Sequence, residues 1–243
     1  MDESAKMKAE ELLRAGQLGE AVETLTAELR EDPLDASRRT FLFELLCFSG
    51  EYGRAEKQLQ ALEEGNQERA LGILLYRAAL HAEKARHALF EEKRYPTGES
   101  PATPVSGTLN GKAFQALSDA DPRIGARLEI FAAGDYLWIG LEHVASLEIE
   151  PPKRLRDLLW IPARLKTGPA FQDRDLGEVL LPALSPFTWQ HPDDAVRLGR
   201  TTEWCEDEKG EVAPYGQKML SVDGEEFPLL ELRRLEIHAP EQS

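Results

Sequence analysis

The chain opens with apolar residues at the spacing of an amphipathic α-helix, from about residue 4 to residue 93. This pattern recurs at an offset of 34 residues, which predicts two successive pairs of helices. The matched positions are Leu12 and Leu46, Gly16 and Gly50, Leu18 and Tyr52, Ala21 and Ala55, and Leu25 and Leu59. Residues 67–92 keep the helical spacing but lack the glycine turn, so we predict one long helix that caps the array.

The 34-residue unit resembles the tetratricopeptide (TPR) repeat. Gly16 and Gly50 would let the first helix of each pair end in a left-handed residue. The small side chains of Ala21 and Ala55 would allow the paired helices to approach closely. Asp35, which follows the first repeat, is expected to cap the next helix. The first part of the chain is therefore predicted to be a TPR-like helical domain.

The second half of the chain changes to a period of two, which is typical of half-buried β-strands. The strand candidates include residues 127–132, 136–139, 147–150, 161–165 and 218–222. Many short strands with little helix predict a mainly antiparallel β domain, either a bent sheet or a small SH3-like barrel. Within the last run, residues 227–237, the alternation of apolar and polar residues shifts by one position. This shift predicts a β-bulge near Arg233 and Arg234.

Proline, glycine, serine and threonine crowd residues 95–112, and such a composition breaks both helices and strands. We therefore predict a two-domain α+β chain. Residues 1–94 would form the TPR-like helical domain, residues 95–112 a linker, and residues 113–243 the mainly β domain.

The formal net charge of −15 is spread over both halves of the chain. It argues against nucleic acid and anionic membranes as partners, because both require clustered lysine and arginine. No apolar run approaches the roughly 20 residues of a membrane span, and the polar residues 1–4 predict no signal peptide. Cys47 and Cys205 lie far apart in sequence, so we expect no disulfide framework and a cytoplasmic location.

The five histidines show no spacing that suits a metal pair, and the common catalytic motifs are absent from the sequence. We expect no cofactor, no metal site and no catalytic residue. The one tempting constellation is Asp119, Asp121 and Arg123, which could bind a metal or act as acid and base, or could form a structural turn before Pro122. Residues 153–156 form a basic island that would be a solvated face or a contact for an acidic partner.

Four ordered stretches resemble the ImpE/TagJ family, the accessory proteins of bacterial type VI secretion systems. They are DADPRIGARLEI at 119–130, LRDLLWIPARL at 155–165, DDAVRLGRTTEW at 193–204 and GQKML at 216–220. The resemblance implies a non-enzymatic adaptor with an ImpE-type C-terminal domain. It also implies binding to the N-terminal helix of the sheath subunit TssB and an influence on sheath recycling by the ATPase ClpV.

If the TPR register holds, the inner face of the repeats is the partner-binding surface. Its predicted residues are Glu10, Leu13, Arg14, Glu44, Cys47, Phe48 and His81. Apolar side chains at the centre with charges at the edge suit an amphipathic helix. Two alternatives stay open: these residues could instead pack on the third helix or the second domain, and the chain could be a metal- or nucleotide-dependent hydrolase or regulator that uses the Asp119, Asp121 and Arg123 cluster.

Overall fold

A computed structural model describes residues 3–65, 70–95, 104–168, 175–206 and 210–238. Its first part is helical, and one further short helix lies in the second half. The helices are Glu3–Arg14 (α1), Leu18–Glu31 (α2), Ala36–Phe48 (α3), Tyr52–Gly65 (α4), Ala70–Glu91 (α5) and Asp194–Arg197 (α6). The first five form the two helical hairpins that the 34-residue pattern predicts, followed by the one long helix expected where the glycine turn is missing.

The turns of the two hairpins have the local chemistry expected from the sequence. Gly16 and Gly50 adopt left-handed φ angles of +82° and +70°. The carboxylate of Asp35 accepts a hydrogen bond from the backbone N–H of Arg38 at 2.9 Å and so caps α3. A Cβ atom at Gly50 would lie 2.3 Å from Trp189, so this glycine also allows the second half of the chain to pack on the turn.

The second half is built of short antiparallel strands. They are Gly107–Leu109 (β1), Lys112–Phe114 (β2), Leu117–Asp119 (β3), Arg127–Ala132 (β4), Asp135–Gly140 (β5), Val144–Ile149 (β6), Trp160–Thr167 (β7), Asp175–Pro182 (β8), Thr202–Glu206 (β9), Val212–Gly216 (β10), Met219–Val222 (β11), Glu225–Pro228 (β12) and Arg234–Ile237 (β13). Eight of these strands form one sheet in the order β2-β1-β13-β6-β7-β8-β4-β5. Strands β12-β11-β3 and β10-β9 form two smaller sheets.

These elements confirm the predicted fold class, a helical repeat region followed by a mainly antiparallel β region. Among the described strands the large sheet is open, with β2 and β5 at its edges, which agrees with the bent sheet of the prediction and not with a closed barrel. Its pairing register shifts between Val144 and Ser146 and between Leu165 and Lys166, and such irregularities bend a sheet.

Two details differ from the prediction. Strand β1 and the first residue of β2 lie within the predicted linker and pair in the large sheet, so regular structure begins before residue 113. The shift in the apolar alternation of residues 227–237 does not come from a bulge near Arg233. A 3-10 helix at Leu229–Glu231 separates β12 from β13 and accounts for it instead. Residues 96–103 of the predicted linker lie outside the described residues, and the division into separable domains stays a proposal.

One apolar cluster continues from the helices into the β half. Phe43 and Phe48 of α3 belong to the same buried cluster as Leu159, Trp160 and Leu198. The rings of Phe43 and Trp160 lie 6.4 Å apart between centroids. A second cluster lies within the β half, between the large sheet and the strands and loops that cover it. The two halves therefore share a core at the C-terminal end of α3.

The α1–α2 corner is held by side chains from far along the chain. Gln17 is the residue before α2, but its side chain forms no hydrogen bond that caps the helix. Instead, the Asp194 carboxylate accepts a hydrogen bond from the Leu18 N–H at 2.8 Å. The guanidinium of Arg200 donates to the carbonyls of Leu13 and Arg14, in the last turn of α1. These contacts fix the first helical hairpin against the β half.

Candidate functional site

An open groove lies between α1, α3 and the 3-10 helix Leu155–Leu158. Its volume is about 600 Å³. It is lined by Glu10, Leu13, Arg14, Ala36, Ser37, Thr40, Phe41, Glu44 and Leu155. We call this surface the repeat groove.

The lining follows from helix periodicity. Residues three or four apart lie on the same helix face, which places Leu13 and Arg14 beside Glu10 on α1. The same spacing brings Phe41 beside Glu44 on α3. The side chains of Leu13 and Phe41 are half-buried and supply apolar area. The repeat groove therefore combines an apolar centre with charged groups along its edges.

The charged groups at the edge are held in place to different degrees. Arg14 and Glu10 form an exposed pair at 3.4 Å, and the Arg14 side chain is 75% exposed. Glu44 accepts a hydrogen bond from the Tyr76 hydroxyl at 2.6 Å. Burial raises the pKa of Glu44 above its usual value, and the bond from Tyr76 and the charge of Arg156 offset only part of this effect. Glu44 is thus fixed by α5, whereas the exposed side chain of Arg14 is held only by its pair with Glu10.

The structure brings Glu10, Leu13, Arg14 and Glu44 together in the repeat groove, as the repeat register predicts. Cys47 and Phe48 must be corrected as partner contacts, because they are only 3% and 1% exposed and pack in the shared core. The reason is that Leu159 and Trp160 cover the C-terminal end of α3 and leave only its N-terminal part open.

His81, the last predicted contact, is exposed on α5 but does not line the repeat groove. The prediction missed five lining residues, Ala36, Ser37, Thr40, Phe41 and Leu155. Phe41 could have been found, because it lies three residues before Glu44 on the same helix. Leu155 could not, because nothing near it in sequence shows that it approaches α1 and α3.

A buried ionic network joins α5 to the β half. The Arg86 guanidinium donates two hydrogen bonds to the Glu129 carboxylate, at 2.8 and 2.9 Å. It also donates to Glu83 at 3.1 Å, and Glu83 accepts a bond from the Trp160 indole at 2.8 Å. On the other side, Lys218 pairs with Glu129 and, at 2.6 Å, with Asp119. The network therefore reaches from α5 through β4 to β3 and the start of β11.

The charges of this network are buried and strongly coupled. Burial alone would raise the pKa of Glu129, but Arg86 and Lys218 hold it well below its usual range. The pKa of Asp119 is raised to about 6, first by burial and further by the negative charge of Glu129, against the opposing effect of Lys218. The network thus holds Glu129 as a carboxylate between two cations.

The candidate catalytic cluster of Asp119, Asp121 and Arg123 forms the hydrogen bonds of a structural turn. One Asp119 oxygen accepts a hydrogen bond from the Asp121 N–H at 2.9 Å. The Asp121 carboxylate accepts bonds from the N–H and the guanidinium of Arg123, at 3.0 and 2.5 Å. Both carboxylates are buried and engaged, which favours the structural turn over a catalytic pair. Within the described residues, no group of three or more His, Cys, Asp or Glu side chains is arranged to hold a metal ion.

If Asp121 is structural, its replacement by asparagine should act on stability alone. Asp121→Asn removes the charged partner of Arg123, so we expect thermal and urea denaturation to show a loss of about 1.5–3 kcal/mol. The exposed Asp135 at the start of β5 offers a matched control, and Asp135→Asn should have little effect. A divalent cation that raises the melting temperature of the wild type but not of Asp121→Asn would contradict the structural role.

Among the described residues, no helix combines the length and apolar character needed to cross a lipid bilayer.

Comparison with known proteins identifies a family and relatives that this chain resembles. The family model described as ImpE protein matches residues 111–236. The type VI secretion system accessory component TagJ of Pseudomonas aeruginosa is 33% identical over 266 aligned residues, covering 96% of this chain and 92% of the relative. The crystal structure of protein VPA1032 from Vibrio parahaemolyticus has the same fold, with a TM-score of 0.83 at 24% identity, over 95% of this chain and 97% of that one.

Proposed function

The chain belongs to the ImpE family, and we propose that it is a non-enzymatic accessory component of a bacterial type VI secretion system. The relative TagJ, which bears the name of such a component, aligns with both the helical and the β half of this chain. The proposed place of action is the cytoplasm. The burial of Asp119 and Asp121, which removes the best candidate for catalysis from solvent, supports a role in binding.

The observation that carries the proposal is the repeat groove. Leu13 and Phe41 offer an apolar centre, and Glu10, Arg14 and Glu44 place charges beside it. An amphipathic helix could bury residues at i, i+3 or i+4 and i+7 against the apolar centre and turn its polar side to the edge. The proposed ligand is the N-terminal helix of the sheath subunit TssB.

This mode of binding would make the protein an adaptor between the sheath subunit and the recycling machinery. A TssB subunit with its N-terminal helix in the repeat groove would reach the ATPase ClpV with this protein attached. We propose that ClpV-dependent sheath recycling is modulated in this way. The formal net charge of −15 supports a protein ligand over nucleic acid or an anionic membrane.

The proposal is tested by titrating a peptide of the TssB N-terminal helix into the protein and following fluorescence anisotropy. Leu13→Glu should weaken binding by roughly thirtyfold, since the loss of a central contact in an interface costs about 2 kcal/mol. Leu34 is 89% exposed in the turn before α3 and offers the matched control. Leu34→Glu introduces the same charge and should leave the affinity unchanged.

Arg14→Glu supplies a second variant with little risk to the fold, because its side chain is 75% exposed. It should alter the affinity for the TssB peptide, whereas circular dichroism should show an unchanged helical signal. If Leu13→Glu and Arg14→Glu both fold and bind the peptide like the wild type, the repeat groove is not the binding site.

A further inference from the structure

A second cleft, separate from the repeat groove, lies along the large sheet. Its volume is about 740 Å³, and it is bordered by the segment 150–157, strands β6 to β8 and the start of β13. We call it the basic cleft, because six cationic side chains line it: Lys153, Arg154, Arg156, Arg164, Arg233 and Arg234. Four carboxylates also line it, so the surface has an excess of positive charge on a chain whose net charge is −15.

The floor of the basic cleft is a ladder of alternating charges across four strands. Arg234 of β13 lies opposite Glu148 of β6, Glu148 lies opposite Arg164 of β7, and Arg164 lies opposite Glu178 of β8. Cross-strand neighbours of opposite charge stabilise a sheet modestly and hold their side chains in position. The ladder is neutral as a whole, so the positive excess comes from the rim.

On the rim of the basic cleft, the protein's own carboxylates do not pair with every cationic side chain. Lys153 pairs with Glu150 at 3.0 Å, and Arg156 lies 3.5 Å from Asp157. In the described part of the chain, Arg154 and Arg233 have no carboxylate partner within ion-pair distance, and the Arg233 guanidinium donates to the carbonyls of Leu230 and Leu232 instead. The planar guanidinium group matches the two oxygens of a carboxylate.

An apolar cleft of about 220 Å³ continues from the basic cleft and shares Arg156, Pro162 and Glu178 with it. It runs between α5 and the sheet, where Leu75 is 52% exposed. Leu71 and Leu74 of the same helix are 71% and 61% exposed. A ligand in the basic cleft would therefore find an apolar surface directly beside the arginines.

We propose that the basic cleft and the adjoining apolar cleft together bind an acidic segment of a partner protein that carries an apolar anchor. The carboxylates of the segment pair with Arg154 and Arg233, and the apolar anchor packs against Leu75 and the wall of the sheet. A short acidic segment fits better than a nucleic acid, because a polyanion would extend beyond the cleft onto the negative remainder of the surface. This inference does not depend on the occupant of the repeat groove.

The test uses the full-length chain and two synthetic labelled peptides. One carries a run of glutamates followed by two leucines, and the other has glutamine at every glutamate position. The glutamate peptide should bind roughly tenfold tighter, and salt should weaken its binding, because charge pairs at a rim are screened. The double variant Arg154→Glu with Arg233→Glu should remove this preference.

The matched control is the double variant Arg30→Glu with Lys57→Glu, which makes the same charge change at exposed positions on α2 and α4. It should keep the preference for the glutamate peptide, as should Leu13→Glu in the repeat groove. The proposal is overturned if the two peptides bind alike, if both double variants lose the same affinity, or if duplex DNA displaces the peptide at equal ionic strength.

Discussion

Replacing Arg86 by methionine is expected to lower the free energy of unfolding by about 3–5 kcal/mol. Arg86 is 1% exposed, and its guanidinium is the bidentate partner of Glu129, which is fully buried. Methionine would fill much of the volume but leave Glu129 and Glu83 without their shared cation. A buried carboxylate that loses a cationic partner keeps the cost of its lost hydration with less compensation, although Glu129 retains Lys218 and Glu83 retains the bond from Trp160. Urea denaturation followed by circular dichroism measures the loss.

A matched control lies on the same helix. Arg77 forms an exposed pair with Glu63 at 2.7 Å, and both side chains are about half exposed. Arg77→Met should cost less than about 1 kcal/mol, because water solvates and screens such pairs. Adding Glu129→Leu to Arg86→Met should recover part of the loss, since it removes a buried carboxylate that has lost one of its two cations. Equal losses in Arg86→Met and Arg77→Met would show that the buried network does not hold the two halves together.

Phe48→Ala is expected to destabilise the protein by about 3–5 kcal/mol, which is the usual cost of removing a buried aromatic ring. Phe48 is 1% exposed at the end of α3, where it borders a small cavity with Leu159 and Trp160. The ring therefore belongs to the core shared by the two halves and not to the repeat groove. A fall in partner affinity in this variant would follow from the loss of structure.

Phe41 of the same helix provides the comparison, because it is half-buried and lines the repeat groove. Phe41→Ala should cost clearly less stability than Phe48→Ala and should weaken the TssB peptide while the protein stays folded. The two roles are separated by measuring urea denaturation and peptide affinity on both variants. The assignment of Phe48 to the core would be wrong if its replacement destabilised the protein no more than that of Phe41.

The elements that sequence could predict are those set by local chemistry. The left-handed residues Gly16 and Gly50 and the cap at Asp35 depend on a few neighbouring residues, and all three have the expected geometry. The alternation in residues 127–132 likewise predicts β4, but not that both of its faces are buried, with Glu129 paired to Arg86 and Phe131 in the core shared with the helices. The Asp223–Gly224 pair, a combination typical of hairpin turns, connects β11 and β12 with positive φ at both residues.

What sequence could not predict are contacts between distant segments. Arg86 and Glu129 lie 43 residues apart, and neither shows by its neighbours that it will be buried with the other. Lys218 lies 89 residues from Glu129 and completes the network from a third segment. The pattern of a helix shows which residues share a face, but what covers that face is decided by the packing of the whole chain.

The candidate site contains residues that the sequence could place and others that it could not. The repeat register correctly places Glu10, Leu13 and Arg14 on one accessible face. On α3 the same register places Glu44 and Phe48 on one face. Leu159 and Trp160 cover only the C-terminal end of that face, so Phe48 is buried while Glu44 lines the groove. Helix period alone therefore could not separate the groove residue from the core residue.

The central claim, that the repeat groove holds the TssB helix, is tested most directly by disulfide trapping. Thr40 lines the groove, and Lys57 is exposed on α4 outside it. Each is changed to cysteine in a Cys205→Ser background, in which the buried Cys47 stays out of reach, and is oxidised with a TssB subunit that carries one cysteine in its N-terminal helix. We expect a reducible adduct with Thr40→Cys and none with Lys57→Cys. Equal adducts at both positions, or no adduct at Thr40→Cys while binding persists, would contradict the account.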